Sequence, residues 1–358
     1  MTDLVSPVVN DECPAISVVI CCHNSAARIR ETLRHLAAQQ VPAQLVWEIL
    51  VVDNASTDET SDIVSEFSTG HPNISVRVVK EQKLGTGYAR QRGMKEALHD
   101  LILFVDDDNW LDPDYLSVVA ETMRRNPGIA ALGGMSSAHC EGPEPHWLTK
   151  YQEWYAVTGP PSEAARLMSV DFLWTAGSTF RREAVERVRS LKLPFLVAGR
   201  RGTSLDAGED EELCHLIRLS GGQLFRHPGL HFRHYLPSRR LTWDYLRRLN
   251  YAGGMVSVEL DAYRFNNTRS IWPSSILQLW SAQVINVCFQ ILRYRIALTA
   301  GAEEGSRTSL RLAAYRGRLR ALWRGRREYK NLMKHKAVLT GLIRRSGIGN
   351  SARVQIAG

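Results

Sequence analysis

The sequence predicts an α/β protein: a Rossmann-like, mostly parallel sheet flanked by helices, followed by an α-helical extension. Three observations predict it. Short apolar runs alternate with helical stretches from residue 16 to residue 132, the pattern of a parallel sheet covered on both faces. Polar residues stand directly after the first, second and fourth apolar runs, and open sheets of this kind bind ligands along that edge. Beyond residue 236 the strand pattern gives way to helical periodicity.

Taken in order, Ile16 to Cys22 is a buried strand by composition; His23 and Asn24 follow it, and Ser25 caps a helix through about Ala38. Glu48 to Val52 is the second strand and ends in Asp53-Asn54-Ala55-Ser56-Thr57-Asp58. Ser56 or Thr57 caps the next helix, with Asp58 and Glu59 favouring its positive end. Ile74 to Lys80 is the third strand, and Gly85-Thr86-Gly87 leads into a helix carrying Arg90 and Arg92. Leu101 to Val105 is the fourth, and Ile129 to Leu132 a fifth.

The fourth strand ends abruptly in Asp106, Asp107 and Asp108, after which Asp112-Pro113-Asp114 opens a helix with Pro113 suited to its first turn. Carboxylates held this close resist ionisation unless something positive stands between them. A divalent cation with oxygen ligands answers that need. A solvated acidic turn is the plainer alternative, weakened here because the acids directly terminate an apolar strand.

Charge is unevenly placed. The net +8 comes from the segment Arg307 to Arg345, where 13 Lys/Arg meet a single acid, Glu328. A pI near 9.3 is therefore poor evidence for nucleic acid on the main domain, and none is expected as a partner. The six cysteines show no CxxC pair and read as reduced thiols of a cytosolic protein. The first residues lack a basic and apolar leader, and no apolar run reaches the length of a spanning helix.

A dinucleotide-binding protein needs GxGxxG after its first strand; this chain has CCHNSA there, and no P-loop. A sugar nucleotide held by side chains and a metal fits better. Asp53 then accepts hydrogen bonds from base or ribose, His23 stacks beneath a base, and Arg90 meets a phosphate or a carboxylate. Strand-end capping, a packed imidazole and an internal salt bridge stand as the respective alternatives.

Five motifs, ISVVICCHN, EILVVDNASTDET, GTGYARQRG, FVDDDNWLDPDYL and GEDEELCHLIRLSG, resemble in order and spacing the family-2 glycosyltransferases of the GT-A fold, over roughly Pro14 to Tyr235. The resemblance implies inverting sugar transfer from a nucleotide-diphosphate sugar, with uridine the default base. Asp53 would contact the nucleoside. Asp106 and Asp108 would hold Mn2+ or Mg2+ against the diphosphate, with Asp107 beside the nucleotide sugar. Asp210 would match the catalytic base, with Glu209 next to it on the acceptor side. His23 stands where many members have tyrosine. Acids in a first helical turn also stabilise a helix without catalysis.

The loop 197–208, rich in Gly and Arg, is expected as a mobile lid over the donor. Among Trp147, Trp154, Tyr155 and Trp174, the last sits where related enzymes place acceptor-side residues. Of His231 and His234, the second is expected to complete the metal shell. The chain divides into a flexible N-terminus, 1–13, a GT-A domain, 14–236, and a helical region with a basic amphipathic tail, 237–358.

In that last region Leu241 to Leu260 is helical, and Ile276 to Leu292 is strongly apolar with Gln278, Asn286 and Gln290 on one face. The second suits a helix packed on the body or lying in a membrane interface. The tail sets Leu312, Tyr315, Leu319 and Leu322 on one stripe among arginines, as a surface anchor for an anionic membrane does, although a solvated helical hairpin explains it too. Gly317 and Gly325 weaken it as a rigid helix. The expected acceptor is a glycan or a lipid-linked glycan, and the expected place is the cytoplasmic membrane face. Spanning helices and the QxxRW signature of processive synthases are missing, so one residue is added per encounter. The stretches GEDEEL and HYLPSRRLTWDYL, and the WPSS-plus-basic-tail arrangement, are similar to hormogonium-polysaccharide glycosyltransferases. A nucleotidyltransferase on a similar sheet, or a non-catalytic binder docked through the tail on membrane or nucleic acid, are the rival readings.

Overall fold

The computed structural model describes residues 13–160, 167–202, 204–263, 279–298 and 304–346. The expected flexible N-terminus lies outside them apart from Cys13, and so does Gln278.

Four strands build the parallel half of the sheet: β1 (Ile16–Cys22), β2 (Trp47–Asn54), β3 (Ser75–Glu81) and β4 (Leu101–Asp106). They run in the order β3-β2-β1-β4, all parallel. The second half is mixed: β5 (Asn109–Leu111), β6 (Ile129–Cys140), β7 (Met168–Ser169), β8 (Ser178–Arg181) and β9 (Gln223–Leu236). Here β8 joins β4 antiparallel, β6 and β9 pair in parallel, and β5 and β7 pair antiparallel with β9. The expected short fifth strand is thus a long one, because residues 133–140 continue it alongside β9.

The apolar runs are continuous because both sheet faces are covered. Val18, Ile20, Ile49, Val51, Leu103 and Val105 face one layer, with α1 (Ile29–Ala37), α2 (Thr60–Gly70) and α4 (Tyr115–Arg125). Val19, Leu50, Val52, Ile102 and Phe104 face the other, with α3 (Thr86–Glu96), and, after the short α5 (Leu148–Tyr151), α6 (Arg182–Ser190) and α7 (Glu209–Leu219). Gly93 in α3 permits the close approach: a Cβ there would stand 2.4 Å from a Val19 methyl.

Two helix starts differ from expectation. Ser25 caps through its backbone carbonyl, which accepts from Arg28 and Ile29. The helix after β2 begins later than Ser56 and Thr57, since Asp58 Oδ1 takes up the Thr60 N–H at 3.2 Å.

The C-terminal region is α8 (Trp243–Leu260), α9 (Trp280–Leu298), α10 (Arg307–Arg324) and α11 (Tyr329–Ser346). The stripe of α10 expected to face a membrane is turned inward instead. Leu312 and Leu322 are buried, and Leu322, Tyr315 and Leu319 pack with Val258 of α8 and Val287 of α9. Nor does Gly317 break the helix. It lies at a crossing, where an added Cβ would stand 1.9 Å from the Tyr251 carbonyl oxygen, while Gly254 faces the Ala314 carbonyl equally closely. Small residues here let two backbones touch. Among the described residues no helix is long and apolar enough to cross a membrane.

Candidate active site

Parallel register carries the first three site segments to one edge. Cys22 stands beside Asp53, and Cys21 beside Asp106, so the ends of β1, β2 and β4 lie side by side.

The loops after β1 and β2 are stitched together. His23 Nδ1 lies 2.8 Å from the Asn54 carbonyl, Asn24 Oδ1 accepts from Thr57 N–H at 2.8 Å, and Asp58 Oδ2 accepts from Ala26 N–H at 3.0 Å. Asn24 and Ala55 adopt left-handed backbone at φ 49° and 54°, held there by these bonds. Asp53 is buried, with Oδ1 accepting from Ser56 N–H and Oδ2 from the Ser61 hydroxyl. Burial works to raise its carboxyl, but those hydrogen bonds and Lys80 hold it below the ordinary range. Asn54 fixes the next segment, its Oδ1 accepting from Gly85 N–H at 2.8 Å, at the start of α3.

Arg90 is the hub. Buried on α3, it ion-pairs with Asp106 (3.8 Å), Glu209 (2.8 Å) and Asp210. It therefore meets carboxylates of its own chain. It also joins the acidic end of β4 to the first turn of α7, where Asp210 lies 120 residues beyond Arg90 in sequence. Asp210 Oδ1 also accepts from the Thr175 hydroxyl at 2.7 Å.

The three consecutive aspartates separate. Asp106 faces the cleft, its side chain 35 % exposed. Burial, with Asp108 and Asp210 nearby, pushes its carboxyl up to about 6 against the pull of Arg90 and His234. Asp107, expected at the nucleotide sugar, turns away from that group. It pairs with Arg28 at 2.5 Å, and its carbonyl accepts from the Thr32 hydroxyl. Asp108 is buried between Arg240 Nη1 (3.0 Å) and His234 Nε2 (3.5 Å). Burial works to raise its carboxyl, yet His234 and Arg240 hold it well below the ordinary range.

The two histidines divide as well. His231 is spoken for on both sides, Nδ1 by Asp112 Oδ2 and Nε2 by the Ser137 hydroxyl, each at 2.9 Å. His234 Nδ1 is buried and without a partner among the described residues. Trp174 packs edge-on to Phe172 at 5.0 Å and under the Arg226 guanidinium at 5.8 Å, while its neighbour Thr175 reaches Asp210. Trp147 and Tyr155 belong to the core, and Glu209 is held by Arg90 and by Gly208 N–H.

No group of three or more His, Cys, Asp or Glu side chains stands together as a cation cage among the described residues. The donor chemistry nonetheless fits a divalent ion: two carboxylates, Asp106 and Asp108, with the imidazole of His234. The Asp106 carboxylate opens to the cleft, with Arg90 3.8 Å away. A cation there would take over from Arg240 on Asp108.

Arg28, Thr175 and Arg240 carry no sequence signal, since each acts through a partner far away in the chain. Glu212 is different. Fully buried two positions after Asp210, it accepts from Leu196 and Val197 N–H and from the Tyr263 hydroxyl, raised by burial against those three bonds. Glu212 follows Glu209 by three positions, which sets both on the buried side of α7, and that spacing was readable. Glu212 and the Thr86–Arg200 backbone bond (3.0 Å) tie down the near end of the loop expected as a lid.

Residues 17–189 match the family described as Glycosyl transferase family 2. Succinoglycan biosynthesis protein ExoM of Rhizobium meliloti is 24 % identical over 296 residues, covering 81 % of this chain and 91 % of that one. Glycosyltransferase AglE of Haloferax volcanii is 34 % identical over 126 residues, 34 % of this chain and 39 % of its own. The first curated relatives are thus matched over only about a third of their length, 31 % and 39 %. Among solved structures, a mannosyltransferase of Pyrobaculum calidifontis, in complex with GDP-Man and Mn2+, superposes with a TM-score of 0.56 at 18 % identity, covering 87 % of this chain and 88 % of that one.

Proposed function

From the premise that this chain is a glycosyltransferase with a family-2 domain over residues 17–189 and the GT-A fold, we propose that it moves a sugar from a nucleotide-diphosphate sugar to a glycan or lipid-linked acceptor, with inversion and with a divalent metal. The observation that carries this reading is the Arg90 bridge. It sets Asp210 and Asp106, the candidate base and the candidate metal carboxylate, on one guanidinium.

In this reading Asp210 takes the proton of the acceptor hydroxyl as its oxygen attacks the anomeric carbon. The bond from that carbon to the diphosphate oxygen breaks, and the nucleoside diphosphate leaves. Thr175 and Arg90 orient Asp210 through Oδ1. Asp53 and His23 hold the nucleoside end, on loops braced by Asn54 and Asn24. Asp106, Asp108 and His234 would hold Mn2+ or Mg2+, which when bound neutralises the departing diphosphate. Asp107, paired with Arg28, shapes the turn in this reading.

A place in bacterial polysaccharide assembly is supported by the relation to a succinoglycan biosynthesis protein over nine tenths of its length. The excess of 13 Lys/Arg over a single acid in Arg307 to Arg345 supports work at the cytoplasmic face of an anionic membrane.

The test is a thermal-shift panel of UDP, GDP, dTDP, CDP and ADP with and without Mn2+. A shift for one nucleotide that requires metal is expected, because a ligand binding only the folded state raises Tm. No shift with any of them, in the presence of acceptor glycan and vesicles, would overturn the reading.

A further inference from the structure

We propose that an apolar ridge on α9 is the surface that docks on a bilayer with anionic headgroups; this rests on the membrane-face reading above and assigns the contact to a different element from the basic tail. The helix is apolar on two opposite sides. One side packs inward, with Val287 buried and Trp280, Val284 and Ile291 around the α8–α10 core. The other side carries Ile285, Phe289 and Leu292, 67, 63 and 58 % exposed. Spaced i, i+4 and i+7, they fall within an arc of about 60°, and Val287 lies roughly opposite. A helix with one face on a protein core and an apolar ridge on the other is built for a second apolar partner.

Charge identifies that partner. The helix Trp280–Leu298 contains no acid. Arg293 and Arg295, both exposed, stand about 80° to either side of Ile285, where long side chains reach headgroups while the ridge enters the acyl boundary. Residues 237–358 hold 22 Lys/Arg against six Asp/Glu, whereas residues 1–236 hold 23 against 31. A second copy is a poor occupant, because a two-fold contact would bring the arginine-flanked ridges face to face. The helix is not apolar enough to span, so it lies in the plane of the interface.

The experiment is flotation of the full chain with phosphatidylcholine vesicles, with and without phosphatidylglycerol. Phe289→Ser with Leu292→Ser changes only exposed positions, so Tm and metal-dependent nucleotide binding should be unchanged while affinity for anionic vesicles falls at least about tenfold. In a Phe289→Trp variant the introduced indole should shift its emission to the blue on binding and be quenched by brominated lipid. Unchanged binding of the serine pair, or indole emission that stays water-like on bound vesicles, would assign docking to the basic surface alone and overturn the proposal. So would failure of the natural chain to bind, or a dimer that the serine pair splits in light scattering. Nucleotide shifts on the same samples keep the two readings apart: their absence sinks the sugar-nucleotide site and leaves the vesicle result standing.

Discussion

The Thr175 hydroxyl donates to Asp210 Oδ1 at 2.7 Å, on the same oxygen that Arg90 grips. Oδ2 has no partner among the described residues and is the oxygen left to take a proton. Asp210→Asn should therefore keep metal-dependent nucleotide binding and lose turnover by about 10²–10⁴. Thr175→Ala, which frees the carboxylate to rotate, should lower kcat by a smaller factor with little change in KM. Steady-state kinetics beside a nucleotide titration check both, and persistent turnover in Asp210→Asn would place the base elsewhere.

Arg90, itself buried, pairs with three carboxylates, of which Glu209 is buried, Asp210 is largely so and Asp106 opens to the cleft. Arg90→Met should cost about 3–5 kcal/mol, because the buried carboxylates lose their counter-charge. Arg90→Lys keeps the charge and loses the fork, so it should fall between. Urea unfolding measures this; equal stability of all three proteins would mean that the bridge is not formed in solution.

Asp108→Ala should abolish the Mn2+-dependent part of the nucleotide thermal shift, and His234→Ala should weaken it. At a ligand concentration of 100 Kd the lost stabilisation is about 2.7 kcal/mol. A full shift retained by Asp108→Ala in excess Mn2+ would remove this residue from the metal site.

In the metal-free protein the Asp106 carboxyl should add stability as pH falls from about 7.5 to 5.5, against His35, His227 and His335, which burial keeps neutral in the fold. The Asp106 carboxyl lies near 6 in the fold, above its unfolded value, so the folded state binds the proton first. Its ionised form opposes folding above 6, and that opposition is relieved as pH falls through 6. Asp106→Asn should remove that contribution from the pH dependence of Tm, read as the difference from the natural chain. Saturating Mn2+ should reverse its sign, since the metal requires the carboxylate.

Gly254→Ala and Gly317→Ala should each destabilise the C-terminal helices by about 1–3 kcal/mol or more, because the new methyl meets a backbone carbonyl that cannot rotate aside. Faster proteolysis within α9 and α10, with nucleotide binding intact, is the expected readout.

The sequence by itself determined the sheet's parallel half and the position of the site along its edge. The continuous apolar runs in Ile16–Cys22, Trp47–Asn54 and Leu101–Asp106 and the polar residues that end them are local facts, and parallel register then aligns those ends without further information. Tertiary structure alone decided which neighbours share a purpose. Asp106, Asp107 and Asp108 look equivalent in sequence, yet one opens to the cleft, one pairs with Arg28 and one is clasped by Arg240 and His234. The tail stripe of Leu312, Tyr315, Leu319 and Leu322 has the periodicity of a membrane anchor and is spent on α8 and α9, while α9 keeps its ridge exposed. Periodicity says that a face is apolar. What covers that face depends on contacts between residues remote in sequence, and those form only when the chain folds.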